Sequence, residues 1–344
     1  MGKSMCYIRL CSIRITRLFK LVLLCVLVTV LLLLLLLLLR LLVPAPWQHA
    51  DSYYVFRLFI DKQAFPVEDE RPRVISRNIS VQVDKASIKT HLTNMGYPPD
   101  KEEFQKDSLI KHFVPLMTID ERVGLISTLE TFVRVCEQEN LTYFLWSGTM
   151  LGAYRHHGAI PWDDDLDVAM NGSDWRRVYR ALSRVRGYGL LAPGDYHWKF
   201  YKEDASSVPG QTTFRWPFLD IFFYTDDAAY MWALSYEIKK ELVYPISDIF
   251  PLQLRPFENL RLAVPCKMEE IVLRMYSLND CYSPSCTHKD GVVHDSVYVP
   301  CQQLYDFFPF VFRSRSGNSG TVFETLKQGS KLLKHVSVPY EECG

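Results

Sequence analysis

The longest apolar run of the chain lies near its N-terminus, where residues 21–39 form nineteen consecutive positions without a charge. At 1.5 Å per residue, a helix of this length measures roughly 28 Å, close to the hydrocarbon thickness of a bilayer. Five basic residues precede the run, and Arg40 directly follows it. The positive-inside rule therefore predicts a transmembrane signal anchor over residues 21–43, with residues 1–20 as a cytosolic tail and the remaining chain in a lumen.

A cleaved signal peptide is the competing interpretation of this run. The run is longer than the roughly 7 to 15 apolar residues of a signal-peptide core, and residues 43–46 are a poor cleavage site. We therefore expect a single-pass type II membrane protein. A short, leucine-rich span suits the thin membranes of the early secretory pathway, so the Golgi membrane is the expected location and the endoplasmic reticulum the second choice.

Sustained hydrophobic periodicity returns only after residue 110. Residues 44–110 contain prolines and mixed charges, which predicts a lumenal stem with one short strand at residues 80–83. The pattern from Thr118 to Glu121 is a capping box, and apolar residues then recur at helical spacing up to Asn140. A long amphipathic helix is predicted there.

Further elements alternate between strand and helix. The patterns predict a strand over residues 141–146, a helix from Asp174, strands over residues 198–201 and 218–224, and a helix over residues 267–276. This mixed order indicates a compact α/β or α+β domain over residues 111–288. Residues 289–344 form a C-terminal extension to which the pattern assigns no role.

The distribution of acidic and basic residues bears on whether the chain binds nucleic acid. The chain has 344 residues with 39 basic and 39 acidic side chains, but six of the basic residues lie within the first forty positions. The rest of the chain is therefore mildly acidic. Binding to a phosphate backbone needs a concentrated basic surface, so nucleic acid is not an expected partner.

Cysteines and sequons agree with a lumenal position. Glycosylation sequons begin at Asn78, Asn140 and Asn171. Six of the nine cysteines lie beyond the anchor, where fifteen disulfide pairings are open to them: Cys136, Cys266, Cys281, Cys286, Cys301 and Cys343. The alternatives are a zinc site built from Cys281, Cys286, His288, His294 and Cys301, and a buried free thiol at Cys136.

The strongest chemical signal is a group of four aspartates within residues 163–167. In the alternating stretch that follows, Asp165 and Asp167 lie on one face of a strand. Two carboxylates on one face suit a hard divalent cation such as Mg²⁺, which also accepts substrate phosphates. Asp220, an acid inside an apolar run, is a candidate third carboxylate. Of Asp163 and Asp164, we expect one to cap a turn and the other to face solvent.

A second signal lies upstream of the acids. A strand that leads into Gly148 and Thr149 before a helical turn can present backbone N–H groups and a hydroxyl to a phosphate. The order of strand, Gly-Thr, helical turn, paired aspartates and later aspartate is the layout of the nucleotidyltransferase fold. We therefore predict a nucleotidyltransferase-like mixed sheet with flanking helices.

Residues 146–168, together with residues 219–222 and 264–276, closely resemble the LicD family, which includes bacterial phosphocholine transferases, fukutin and fukutin-related protein. The family pattern is a Gly-Thr-Leu-Leu-Gly-Ala-x-Arg-His run followed by Ile-Pro-Trp-Asp-Asp-Asp-hydrophobic-Asp, and the chain matches it almost residue for residue. Met150 replaces the usual leucine and His157 a small residue. No acid of the pattern is lost.

This resemblance implies a metal-dependent phosphotransferase. It would move ribitol phosphate, glycerol phosphate or phosphocholine from a CDP-linked donor to a glycan or glycoprotein acceptor. By position, Asp165 and Asp167 are the expected ligands of Mg²⁺ or Mn²⁺. Asp220 is the expected third catalytic carboxylate, near the acceptor hydroxyl, and the candidate base for the transfer.

The resemblance also implies the donor-binding residues. Gly148 and Thr149 are expected to cradle the donor phosphates, and the guanidinium of Arg155 supplies positive charge with a fork that suits phosphate. Trp162 is a candidate for stacking on the cytosine or ribose, with a buried aromatic wall as the alternative.

Two other functions share some of these features. A Golgi glycosyltransferase that binds a nucleotide-sugar is also a type II protein with an Asp-x-Asp motif, although Gly148 and Thr149 have no role in that scheme. A catalytically inactive partner in glycoprotein processing would retain the fold. The complete set of acids favours the enzyme.

Overall fold

The structure is a computed structural model, and it describes Leu24, residues 26–35, 76–193, 197–235, 243–315 and 321–339, and Cys343. The chain divides into two units, Met1–Val55 and Phe56–Gly344. In the first unit, Leu24 and residues 26–35 are helical with exposed side chains. The predicted tail and the other positions of the predicted anchor lie outside the described residues. Within the described ranges, no helix combines the length and apolarity needed to cross a membrane.

The second unit mixes helices and strands. Its helices are α1 (Lys85–Asn94), α2 (Lys101–Phe104), α3 (Ile119–Gln138), α4 (Ser147–His156), α5 (Trp175–Leu182), α6 (Ile246–Ile249) and α7 (Met268–Met275), with 3₁₀ turns at Ile110–Phe113, Gly172–Asp174 and Cys301–Leu304. Its strands are β1 (Tyr143–Leu145), β2 (Leu166–Asn171), β3 (Tyr188–Leu191), β4 (His197–Ser207), β5 (Arg215–Asp226), β6 (Tyr230–Ala233), β7 (Val243–Pro245), β8 (Gln253–Phe257), β9 (Leu260–Val264), β10 (Asp280–Tyr282), β11 (Cys286–Thr287), β12 (Val292–Val293), β13 (Tyr298–Pro300), β14 (Phe310–Arg315), β15 (Thr321–Gln328) and β16 (Lys331–Pro339).

The main sheet is mixed, as predicted. Its order is β1-β2-β5-β4-β3, and β6 and β7 extend it from β5. Strands β2 and β5 are parallel, and their register places Asp167 opposite Asp220. Strand β4 is antiparallel to β5 and places Lys199 on the other side of Asp220. The pairing therefore sets two acids and one base in a row across three strands.

Helix α3 supplies much of the core beside this sheet. Its predicted capping box is present, with Thr118 accepting from the Glu121 backbone and the Glu121 side chain accepting from Thr118. Leu125, Leu129 and Phe132 are fully buried, and the helix packs against β4 and β5. Burial of each such side chain contributes about 1.5–3 kcal/mol. Because these side chains recur at helical spacing over twenty residues, the sequence predicts this helix clearly.

Residues 76–110 differ from the predicted stem. Helix α1 packs against α3 with Ile88 and Leu92 buried, and Phe104 of α2 contacts Phe308 at 5.5 Å between ring centroids. The predicted strand at residues 80–83 is replaced by a single bridge at Ile79. Because α1 buries only two apolar side chains, its sequence carries too weak a helical pattern to predict.

The C-terminal extension also joins the packed structure. Strands β14, β15 and β16 form an antiparallel sheet, and a disulfide joins Cys266 to Cys343. A second disulfide joins Cys281 to Cys301, so the alternative zinc site that required both cysteines is not formed. Cys136 is a buried free thiol, as one alternative had it.

Candidate functional site

The predicted acids meet in one cleft where β2 begins. The cleft has a volume of about 640 Å³, and Asp165, Asp167 and Asp220 all line it. One carboxylate oxygen from each of the three lies within 4.8 Å of the other two. Oxygens about 2.1–2.4 Å from a shared ion are separated by no more than this, so the three side chains fit a divalent cation.

Burial and mutual repulsion make these carboxylates costly to ionise. Burial raises the pKa of Asp165 well above its usual value, and the charge of Asp163 adds to this increase. Burial likewise raises the pKa of Asp167, with the charge of Asp165 as the next cause. A bound cation reverses this effect, since it stabilises the ionised carboxylates around it.

Asp220 has a different environment from the other two acids. Its carboxylate oxygens lie 2.6 Å from Nζ of Lys199 and 3.0 Å from Nε2 of His197. Burial raises the pKa of Asp220, but the hydrogen bond from His197 and the charge of Lys199 outweigh burial and lower it below the ordinary value. Asp220 is therefore held ionised, which is the form that a cation ligand and a general base both require.

His197 and Lys199 were missed by the sequence reasoning. Lys199 lies within the segment of residues 198–201 that the pattern predicted only as a strand, and His197 directly precedes it. Their spacing of two was an available signal, because residues two apart on a strand lie on the same face. Their partner, Asp220, is more than twenty residues away and was not linked to them by any local motif.

The two residues of the predicted phosphate cradle have different positions. Gly148 lines the cleft, and a β-carbon added there would lie 3.1 Å from Oδ2 of Asp163, so a side chain would occupy the space beside the acids. Thr149 is buried, and its hydroxyl accepts a hydrogen bond from the Asp167 backbone at 2.6 Å. Thr149 therefore positions a cleft acid and is not among the residues that line the cleft.

The start of α4 forms one wall of the cleft. Ser147 has a left-handed backbone with φ of 48°, and its hydroxyl lies 2.9 Å from that of Tyr276. The helix begins without a side-chain cap, so the backbone N–H groups of its first turn have no side-chain acceptor from the capping position. Such a helix end attracts an anion.

Arg155 and Trp162 lie side by side in the cleft wall. The guanidinium carbon of Arg155 is 5.6 Å from the Trp162 ring centroid, and its Nε donates to His156 at 3.0 Å. Burial lowers the pKa of Arg155 to about 10, so this residue is still cationic at neutral pH. Trp162 is 3% exposed and donates from Nε1 to the Tyr282 carbonyl, which favours the aromatic wall over a stacking surface.

Asp163 and Asp164 do not divide as expected. Asp163 lines the cleft and accepts from the Asp164 backbone at 3.0 Å. The expectation that one of the pair faces solvent is wrong, because Asp164 is 2% exposed and Asp163 is half-buried in the cleft wall. Its two oxygens bind His288 Nδ1 and the Lys289 backbone, each at 2.9 Å.

His288 brings the C-terminal part of the chain to the acids. Its Nε2 lies 3.5 Å from Asp165, while its Nδ1 binds Asp164. Burial lowers the pKa of His288, but the hydrogen bond to Asp164 and the charge of Asp165 outweigh burial and raise it to about 9. The sequence reasoning placed this histidine only in the zinc alternative, because nothing local links it to a residue 124 positions earlier.

A buried ion pair holds the loop that carries these acids. The Arg122 guanidinium donates to the carbonyls of Ile160 and Asp163 at 3.2 and 3.1 Å. Glu258, which lies 3.8 Å from Arg122, accepts from the Ala159 backbone at 3.1 Å. We call Arg122 and Glu258 the loop clamp, since together they bind both N–H and C=O groups of residues 159–163.

A second buried pair lies next to the loop clamp. His157 Nε2 is 2.7 Å from Glu324 on β15, and Arg313 on β14 donates to the same carboxylate at 2.9 Å. These three side chains therefore connect the loop to the C-terminal sheet. The side chain of His157 thus joins the loop to that sheet.

Comparison with known proteins supports the predicted resemblance. Residues 140–267 match the family described as LicD/FKTN/FKRP, nucleotidyltransferase domain. A 58-residue segment is 40% identical to the lipopolysaccharide cholinephosphotransferase LicD of Haemophilus influenzae, covering 17% of this chain and 22% of that protein. A 153-residue segment is 26% identical to the ribitol-5-phosphate transferase FKTN of Mus musculus, covering 43% of this chain and 31% of that protein.

An uncharacterized protein of Rickettsia typhi, RT0683, is 29% identical over 129 residues, which are 37% of each chain. The chain thus spans between about a fifth and two fifths of the curated relatives it matches. The matched region includes every predicted acid, Gly148 and Arg155. The resemblance to the LicD family is confirmed by the match of residues 140–267 to its nucleotidyltransferase domain.

Proposed function

We propose that the chain is a metal-dependent transferase that moves a phosphorylated alcohol from a CDP-linked donor to a glycan or glycoprotein. The observation that carries this proposal is the convergence of Asp165, Asp167 and Asp220 within 4.8 Å in a cleft that also contains Gly148 and Arg155. Two named relatives transfer a phosphorylated alcohol, phosphocholine in one and ribitol phosphate in the other.

In the proposed mechanism, Asp165 and Asp167 hold Mg²⁺ or Mn²⁺, with Asp220 in reach of the same ion. The cation supplies neutralisation of the charge on the donor phosphates. The acceptor hydroxyl gives its proton to Asp220, the candidate base, as its oxygen bonds to the donor's β-phosphorus, and the bond from that phosphorus to the α-phosphate oxygen breaks to release CMP. Arg155 and the first turn of α4 bind phosphate oxygens during this step.

The other residues around the cleft orient or support its acids. Lys199 and His197 keep Asp220 ionised and fix its direction, so its carboxylate is ready to accept the proton of the acceptor hydroxyl. Thr149 holds the Asp167 backbone. The loop clamp holds the carbonyl of Asp163 and so the start of the acidic segment.

We also propose a Golgi location with the catalytic unit in the lumen. The charge and apolar pattern of residues 1–43 supports a type II signal anchor. The disulfides Cys266–Cys343 and Cys281–Cys301 suit an oxidising compartment. Protease protection of a C-terminal tag in sealed Golgi vesicles is expected, and digestion of the tag without detergent would contradict this orientation.

Nucleotide selectivity tests the proposed function. The full-length chain, purified in detergent, is titrated by calorimetry with CDP, CMP, UDP and GDP, with and without Mn²⁺. We expect metal-dependent preference for the cytidine nucleotides, lost in Asp165→Asn and retained in Asp204→Asn, whose carboxylate is exposed and lies outside the cleft. CDP-ribitol, CDP-glycerol and CDP-choline are then screened as donors.

The other outcomes contradict the proposal in different ways. Preference for UDP or GDP indicates a nucleotide-sugar glycosyltransferase. No nucleotide binding by a folded chain indicates a catalytically inactive partner. Equal affinity of the wild type and Asp165→Asn for CDP with Mn²⁺ would contradict the assignment of Asp165 as a cation ligand.

A further inference from the structure

Two tyrosines form an exposed aromatic pair on the two-stranded sheet of β10 and β13. Tyr282 and Tyr298 are directly opposite each other in the register, so both side chains lie on one face. Their ring centroids are 5.9 Å apart, and they are 54% and 62% exposed. Within the described part of the chain, the other tyrosines are all less exposed. Paired exposed rings offer an apolar contact surface to a ligand.

The backbone beneath this pair is held by several contacts. The disulfide between Cys281 and Cys301 links the two strands, and Cys281 is fully buried on the opposite face. The ladder continues past Tyr282, where the Ser283 backbone donates to the Val297 carbonyl at 2.8 Å. The rings are therefore presented on a supported surface, which reduces the entropy lost when a ligand binds.

This surface is continuous with the catalytic cleft. Tyr282 and residues 283–286 line the same cleft as the three acids. The Tyr282 carbonyl accepts from Trp162 at 2.9 Å, and Trp162 lies beside Arg155. A ligand on the tyrosine pair would therefore extend toward the position where the donor phosphates are proposed to bind.

The charge of this wall differs from that of the acidic end. Residues 282–286 carry no charged side chain, and Ser285 offers an exposed hydroxyl. Such a wall offers little to phosphate or another anion, which Arg155 and the cation would attract. A neutral sugar ring fits it, because its C–H face packs on an aromatic ring while its hydroxyl groups stay in water.

We propose that Tyr282 and Tyr298 bind the acceptor glycan by stacking against a neutral sugar ring at the mouth of the cleft. This inference rests on the proposed function and deepens it by assigning the acceptor side of the cleft. It also predicts that acceptor binding and nucleotide binding depend on different side chains.

Saturation-transfer NMR with simple sugars tests this assignment. The full-length chain in a zwitterionic detergent without a sugar headgroup is mixed with the methyl pyranosides of glucose, galactose, mannose, N-acetylglucosamine and N-acetylgalactosamine. We expect saturation of the ring C–H protons of at least one sugar. The signal should fall about three- to tenfold in Tyr282→Ala and in Tyr298→Ala, and persist in Tyr282→Phe.

The controls separate this site from a general loss of structure and from the proposed function. Phe312→Ala removes an exposed aromatic ring outside the cleft and should leave the sugar signal unchanged. Melting temperature and affinity for CDP with Mn²⁺ should also stay unchanged in the tyrosine variants. A wild-type chain that binds sugars but no cytidine nucleotide would contradict the proposed function while leaving the tyrosine site intact.

Three results would overturn the tyrosine site itself. These are no saturation of any of the five sugars by the wild type, an unchanged signal in both alanine variants, and a loss of CDP affinity in Tyr282→Ala. The last result would assign the ring to the nucleotide base instead.

Discussion

Two groups of buried charge share the loop of residues 157–163 but differ in how their charges are paired. On the cleft side, Asp163, Asp165 and Asp167 face one another, and burial with like charges raises the pKa of each. In the loop clamp, Arg122 faces Glu258 and each also binds the loop backbone. The clamp therefore has the pattern of a structural site, and the cleft has the pattern of a ligand site.

The difference has an energetic meaning. A buried charge with a partner and satisfied hydrogen bonds is tolerated, whereas removal of one partner leaves an uncompensated charge and costs about 3–5 kcal/mol. Buried like charges lower stability while they are present, unless a cation binds. Replacing one charged side chain by a neutral one should therefore lower the stability of the protein in the loop clamp, but leave it unchanged or raise it in the cleft.

The largest expected effect is the loss of activity in Asp167→Asn. Removal of a cation ligand should lower the transfer rate at least about a hundredfold. The melting temperature in the absence of divalent metal should stay the same or rise, because a buried like charge is removed and the backbone contact with Thr149 remains. Transfer assays and calorimetric melting measure the two quantities. A large loss of stability would show that Asp167 has a structural role like that of the loop clamp, and the cleft and the clamp would then not differ.

The next effect is a loss of stability in Arg122→Met. This change removes two donors to buried loop carbonyls and leaves Glu258 with His91, whose Nε2 lies 3.3 Å away, as its remaining basic partner, so we expect the free energy of unfolding to fall by about 2–5 kcal/mol. Lys89→Met is the control, because Lys89 is 50% exposed and its partner Asp120 is 78% exposed, so its loss should cost under about 1 kcal/mol. Denaturant unfolding compares them. Equal losses in both variants would show that the clamp contributes no more than a surface pair.

These two groups were predictable from the sequence to very different degrees. Asp165 and Asp167 share a local strand pattern, and Asp220 is an acid inside an apolar run, so their chemistry was visible without a structure. Arg122 and Glu258 are 136 positions apart and belong to a helix and a hairpin. No local pattern connects them, and each alone resembles an ordinary surface charge.

The same distinction holds across the fold. Helix α3 was predicted because its buried side chains repeat over twenty residues, whereas α1 buries only Ile88 and Leu92. The mixed sheet followed from the element order, but the contact of His288 with Asp164 depends on how the C-terminal part packs. Sequence patterns indicate which elements form and which acids converge. Tertiary packing decides which charges hold them in place.

The smallest expected effect is on the pH dependence of stability through Glu324. Burial raises the pKa of Glu324, but the hydrogen bond from His157 and the charge of Arg313 outweigh burial and lower it below its ordinary value of 4.5. A carboxyl group with a lowered folded-state pKa stabilises the protein above its unfolded-state pKa. This stabilisation is lost as the pH falls through the folded-state pKa.

Glu324→Gln should therefore lower the free energy of unfolding by about 1.5–3 kcal/mol at pH 7. The difference from the wild type should shrink as the pH falls below about 4.5, because protonation then removes the same charge from the wild-type side chain. Denaturant unfolding at pH 7, 5, 4 and 3.5 measures it, with Glu137→Gln as the exposed control. A difference that stays constant down to pH 3.5 would show that Glu324 acts through packing alone, and the pairing of charges would then not distinguish this side of the loop from the cleft.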